Sequence, residues 1–103
     1  MIPKLVDPKD PNAINRFGWD VSEHCLASST TLSSADIVEV DENDDPVATP
    51  TVTITQKVVT PDGVVTALIG GGTVGTTVYL RCRYAMANGE GDDRTIKVFI
   101  LNQ

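Results

Sequence analysis

Histidine occurs once in the 103 residues, cysteine twice, and the aromatics together make up 5% of the chain. Each scarcity closes off a chemistry. A single imidazole, His24, leaves almost no route to a nucleophile–base–acid triad or a histidine-rich metal site. Two cysteines without C-x-x-C spacing provide neither a tetrahedral zinc site nor the disulfide framework of small secreted domains. Cys25 and Cys82 read as two reduced, unpaired thiols rather than a bridge across a sandwich. Positive charge is also sparse: 8 Lys and Arg face 14 Asp and Glu, a formal charge of −6. A surface of that sign does not neutralise phosphates, so a nucleic-acid partner is not expected. Long apolar runs are missing as well. The longest, Val64 to Ile69, is interrupted by Thr66, so neither a leader nor a membrane span is expected, and no membrane partner follows. No cofactor and no catalytic residue is assigned.

β-branched side chains are abundant. Val, Ile and Thr number 13, 7 and 12, a bias toward residues that are stiff at χ1 and suit a pleated surface. Gly and Pro cut the chain into short lengths, the pattern of an all-β sandwich or barrel. Thr51 to Val59 and Val64 to Ile69 predict a hairpin across Thr60-Pro61-Asp62-Gly63. Val78, Leu80, Cys82 and Tyr84 alternate with Tyr79, Arg81 and Arg83, placing the first set in the core and the second outside. Thr95 to Leu101 closes the sheet with Ile96, Val98 and Ile100 on one face. Earlier signals are weaker: an irregular strand region from Trp19 to Thr31 and a short strand from Ile37 to Val40. Seven or so strand regions at this spacing predict an immunoglobulin-like antiparallel β-sandwich.

Residues 1–12 contain Pro3, Pro8 and Pro11, which fix φ and extend their neighbours. They read as an arm held by another polypeptide, with Asp10 capping a short helical turn that starts at Pro11, carries Ile14 and Phe17 on one side and ends at Gly18. The division expected is residues 1–18 for the arm and turn and 19–103 for the sandwich. An arm of this kind binds by adding main-chain hydrogen bonds or filling grooves, so Pro3, Lys4, Leu5, Val6, Pro8 and Pro11 are its candidate partner-binding residues. Tyr79, Arg81 and Arg83 form a second candidate surface, since aromatic plus Arg is the composition of interface anchors; a solvent face with Arg paired to Asp92 or Asp93 accounts for them equally well.

Two motifs fail on inspection. Gly70, Gly72 and Gly75 have dinucleotide-fingerprint spacing, but a strand follows where the mechanism needs a helix N-terminus. Asp41-x-Asn43-x-Asp45 opens like a calcium loop, yet Pro46 replaces the turn glycine and Val52 the bidentate Glu. A solvated acidic loop is the better reading, and residues 17–56 hold eight acids and no Lys or Arg.

Taken in order, Asp7-Pro8-Lys9-Asp10-Pro11-Asn12, Trp19-Asp20, Leu26-Ala27-Ser28-Ser29-Thr30, Leu68-Ile69-Gly70-Gly71-Gly72-Thr73-Val74-Gly75-Thr76-Thr77 and Asp92-Asp93-Arg94 resemble small tailed-bacteriophage virion proteins of the fibre-to-tail adaptor group. Two departures stand out: the stretch from Asp36 to Pro50 is longer and more acidic than in that family, and Cys82 and Tyr84 replace polar and aliphatic residues. The resemblance implies a single immunoglobulin-like domain without catalytic residues, made in the bacterial cytoplasm and resident in the virion. Its partners would be tail, connector and fibre proteins, contacted by several copies in a symmetric ring. A capsid decoration protein and a carbohydrate- or calcium-dependent binding module are the alternatives.

Overall fold

A computed structural model describes residues 3–103; Met1 and Ile2, the start of the expected arm, lie outside the described residues. Seven strands and one helix follow in the order β1 (Lys4–Leu5), β2 (Ile14–Asp20), α1 (Ser22–Ala27), β3 (Leu32–Val40), β4 (Val52–Val59), β5 (Val64–Gly71), β6 (Thr77–Met86) and β7 (Gly91–Phe99). They form two sheets, β1-β7-β6-β3 and β2-β5-β4. Every pairing is antiparallel except β1 on β7. The chain is thus an all-β, two-sheet sandwich, as the β-branched composition predicts.

The core lies between the sheets. Val78, Leu80, Cys82 and Tyr84 of β6 and Ile96 and Val98 of β7 are buried against Trp19 of β2, Val52 of β4 and Val65, Ala67 and Ile69 of β5. The period-two alternation therefore places the inward set correctly. The Thr60–Gly63 hairpin also forms where expected, with Thr60 Oγ1 accepting the Val64 amide at 3.0 Å. One irregularity interrupts β4: register shifts between Thr55 and Val58, and Gln56 takes φ 49°. That bulge swings Lys57 across to β3, where its ammonium donates to Ala35 O at 2.5 Å.

Several expectations for the first third are corrected. No helical turn forms over Asp10 to Gly18. Asp10 Oδ1 accepts the Asn12 amide at 2.8 Å, and Ala13 N–H donates to Asp10 O at 3.0 Å, a single turn. The chain then enters an unbroken ladder from Ile14↔Gly70 to Asp20↔Val64. Seven cross-strand pairs outweigh one local cap, and the expected division between residues 18 and 19 falls inside this strand. The helix instead occupies Ser22–Ala27, where an irregular strand was expected. Val21 and Cys25, four apart and both buried, give it an inward side, and Asp20 Oδ1 receives the Ser22 amide at 3.0 Å. β3 is longer than expected and begins at Leu32.

The arm is the largest correction. Residues 4–9 are ordered by their own sandwich rather than by a second polypeptide. Lys4 and Leu5 run parallel to Ile96 and Lys97. Val6 N–H donates to Lys97 O at 3.1 Å, Lys9 N–H to Phe99 O at 2.9 Å, and Leu101 N–H to Lys9 O at 2.9 Å. The physical reason is an open edge: β7 has no other neighbour on that side, and its main-chain groups accept the nearest extended segment.

Candidate functional site

The Asp-Pro-Lys-Asp-Pro and Gly-rich stretches meet at one end of the molecule. The Lys9 side chain is fully buried, and its ammonium donates to Gly71 O at 2.6 Å and Asp10 O at 2.7 Å. Burial lowers its pKa from 10.5, with Asp10 opposing. Ile100 lies beside it, donating to Thr76 O at 3.0 Å and accepting from Gly75 N–H at 2.9 Å. Gly72 is at φ 102°, and a Cβ there would stand 2.9 Å from Ile100 Cδ1. Gly72 serves close packing against Ile100, and strand follows strand, so no phosphate cradle forms.

The third stretch, Asp92-Asp93-Arg94, covers the half of β7 that β1 leaves bare. Asp92 Oδ1 accepts the Asp93 amide at 2.8 Å, and Arg94 Nη1 donates to Asp93 O at 3.0 Å and to Asp92 Oδ2 at 2.8 Å. The side chains thereby saturate main-chain groups that would otherwise recruit a strand. Next to them lies a cleft of about 520 Å³ between the β1–β7 edge and the end of β2, lined by Lys4, Trp19, Asp20, Asp44, Asp92 and Arg94 among others. Trp19 is buried, and its Nε1 has no hydrogen-bond partner among the described residues. Arg83 pairs with Asp93 at 3.0 Å and Arg81 with Asp44 at 3.4 Å from the flanking strand. The carboxylates here are balanced by neighbouring cations.

The expected partner-binding residues divide by exposure. Lys4 and Leu5 are exposed on β1, and Pro3, Val6, Pro8 and Pro11 are half-buried. Tyr79 is half-buried, and Arg83 is exposed but tied to Asp93. Arg81 is the exception to the expected outward stripe. It is buried, because residues 41–47 fold over it and its Nη1 donates to Asp44 O at 3.0 Å. Asp41, first of the calcium-like spacing, spends Oδ1 on the amides of Asn43 and Asp45 at 2.8 and 3.0 Å. Among the described residues no group of three or more His, Cys, Asp or Glu is arranged to hold a metal ion. Cys25 and Cys82 are free and buried. Desolvation pushes the Cys82 thiol up to about 11. His24 sits on α1, where Nδ1 meets Tyr84 Oη at 2.8 Å, while Cys25 Sγ packs on Met86 Sδ at 3.6 Å. The two adjacent side chains serve different neighbours.

Sequence reasoning missed Lys9 as a buried residue and Asp92–Arg94 as an edge cover. The first had a partial signal, since Lys9 and Asp10 lie between two prolines that hold the chain extended, but alternation does not point Lys9 inward: Leu5 and Asp7 are exposed and Val6 is half-buried. The second is legible only once β7 is known to be an edge.

Acid should weaken this fold. Hydrogen bonds hold four carboxyls below their ordinary values: Asp92 through Arg94 and the Asp93 amide, Asp10 through the Gln103 and Asn12 amides, Asp20 through Ser22, and Glu90 through Asn88 and Ser28. A carboxyl with a lower pKa folded than unfolded contributes stability that is complete above the unfolded value, 3.8 for Asp and 4.5 for Glu, and vanishes as pH falls through the folded one. The urea midpoint is expected to hold from pH 7 to about 5 and then to drop on the approach to pH 3. Asp92→Asn should flatten that descent.

The described residues thus define the class: a small all-β domain of two packed sheets, with a cleft between the edges of β2 and β7. The sequence matches the family described as Podophage GP4 fiber-tail adaptor protein gp77 over residues 9–99, and the chain belongs to that family. It matches no individual curated protein. It is therefore a phage structural protein of the adaptor kind, at home in the virion and engaged with other tail components.

Proposed function

We propose that the chain links tail fibres to the tail or head–tail connector as several copies in a symmetric ring, without enzymatic activity. The observation that carries this reading is the family match, which begins at Lys9 and ends at Phe99, taking in Lys9 with its acceptors Asp10 and Gly71, strands β2 to β7, and the cleft lining apart from Lys4. A domain this small offers little contact area to any one neighbour, and repetition around a ring lets modest contacts add. The docked arm supports the same role differently from a free one. Lys4 and Leu5 with Pro3, braced by Val6, Pro8 and Pro11, form a pre-ordered surface that loses little entropy on binding. Tyr79 and Arg83 add a second contact on the outer face of β6.

We further infer an immunoglobulin-like arrangement. The orders β2-β5-β4 and β3-β6-β7 correspond to strands B-E-D and C-F-G of that fold, with β1 in the place of a first strand that has moved onto G.

The test is a phage carrying a stop codon in the gene for this chain. Its particles are expected to keep tails but lack fibres, and added purified chain should restore fibre attachment. In electron cryo-microscopy of the wild-type virion the density should recur roughly tens of times around one axis. Fibres on particles without the chain, or hundreds of copies over the capsid, would refute the assignment.

A further inference from the structure

The edges of the two sheets are not treated alike. β1 is two residues long and flanked by Pro3 and Pro8, and β7 beyond it is capped by its own Asp92 and Arg94. The β3–β4 side is tied shut twice. Lys57 reaches Ala35 O, and buried Glu39 receives the Thr51 and Val52 amides at 2.7 and 3.2 Å and the Thr51 hydroxyl at 2.7 Å. Short length, proline, bulges and charged covers are the devices that keep strand edges from pairing. β2 is neither short nor interrupted, and its two charged side chains, Arg16 and Asp20, bond Gln56, Thr66 and Ser22 and not the strand's own outward main chain. It holds seven residues in unbroken register, without proline or bulge.

The main-chain direction of β2 follows from one bond. Val21 N–H donates to Gly63 O at 2.8 Å, so the odd residues of the strand turn their amides and carbonyls toward β5, and the even ones turn theirs outward. Ile14, Arg16, Gly18 and Asp20 are all exposed, and no other described residue hydrogen-bonds to their main-chain groups. Only another extended main chain matches four donors and four acceptors at two-residue spacing. Gly18, Trp19 and Asp20 also border the cleft. A strand laid along β2 would send alternate side chains into it, past half-buried Phe17 and toward Trp19, whose indole N–H lacks an acceptor.

We propose that β2 is a strand-addition site for an extended segment of a different virion protein, whose main chain pairs with Ile14, Arg16, Gly18 and Asp20 and whose inward side chains enter the cleft beside Trp19. This deepens the adaptor reading and rests on it: it names the surface and the chemistry of one partner.

Gly18→Pro tests it. Proline removes one outward amide and puts its ring where an added strand would lie, while an edge strand tolerates it because that amide faces solvent. A Cβ at Gly18 meets nothing nearer than 3.6 Å, and its φ is not positive. The assay is binding of purified chain to fibreless virions from the stop-codon phage. Wild type and Gly18→Ala should bind alike, and Gly18→Pro about tenfold or more weaker. Wild type failing to bind refutes the adaptor reading itself; wild type and Gly18→Pro binding equally refutes only this site. If Gly18→Pro does not give the wild-type circular dichroism spectrum, amide exchange of wild type decides. The peptide spanning residues 14–20 should exchange more slowly on virions than in free chain, and unchanged exchange overturns the proposal. Dimerisation of wild type that Gly18→Pro abolishes would assign the edge to a second copy and overturn it too.

Discussion

Lys9→Ala is expected to lower stability by about 4 kcal/mol and the melting temperature by about 20 °C, at roughly 4–8 °C per kcal/mol for a domain of this size. Lys9 is one of the largest fully buried side chains. Truncation removes its packed stem and leaves Gly71 O and Asp10 O without the ammonium they share. Lys9→Met separates the two contributions, because it keeps the stem and discards the charge; about half of the loss should remain. A melting temperature within about 5 °C of wild type for the alanine variant would show that the ammonium's desolvation cancels its hydrogen bonds.

The placement of Lys9 also changes how truncations of the arm are to be read. Deleting residues 1–12 removes the parallel strand on β7 and the bonds from Val6 and Lys9 to Lys97 and Phe99, together with the junction to Gly71. Lost binding in such a deletion would report lost folding. Single substitutions on the outer side of the strap are the informative ones, and exposed Lys4 and Leu5 are the positions for them.

What the sequence revealed and what it hid follow one physical division. β6 and β7 were readable because their side chains alternate, with core for Val78, Leu80, Cys82 and Tyr84 and solvent or loop for the residues between, and β5 because an apolar run resumes directly after the Thr60–Gly63 turn. β2 was not, because Ile14, Asn15, Arg16 and Gly18 are exposed and so leave no apolar period; its strand state comes from pairing with β5. Helix α1 hid behind its brevity, since one buried pair, Val21 and Cys25, is all the periodicity a six-residue helix provides. Arg81 looked outward correctly by parity. What covers it is Asp44, thirty-seven residues away, and no local pattern announces that loop. The cleft is harder still, being assembled from β1, β2 and β7 across two sheets. Three of the five stretches that carried the family resemblance were legible as a signature while their tasks were not: two meet through Lys9 and Gly71, and the third caps an edge.

The second large effect lies at the opposite end of the sandwich, in Gly63→Ala, with an expected loss of about 3 kcal/mol. Gly63 has φ +112°, and a Cβ built there would sit 2.6 Å from Ser22 Cα and 2.8 Å from Ser22 N. Neither atom belongs to a side chain that can swing away; both are the backbone at the start of α1. The same turn fixes the end of β2, through Val21 N–H to Gly63 O, and the start of β3, through Leu32 N–H to Pro61 O at 3.0 Å. Moving it therefore loosens three elements. Gly75→Ala is the matched comparison, because Gly75 also has positive φ, +83°, but a Cβ there has nothing within 4 Å. It should lose only the conformational cost, about 1–2 kcal/mol. Thermal melts of the two variants side by side decide the cause. A Gly63→Ala loss clearly exceeding that of Gly75→Ala means that contact with α1 reserves the position for glycine, and equal losses mean that backbone conformation alone does. If the contact is responsible, amide exchange should rise first at Val21, whose N–H bonds Gly63 O, and next at Trp19, whose amide also faces β5, because the turn that pins the strand's end is the part displaced.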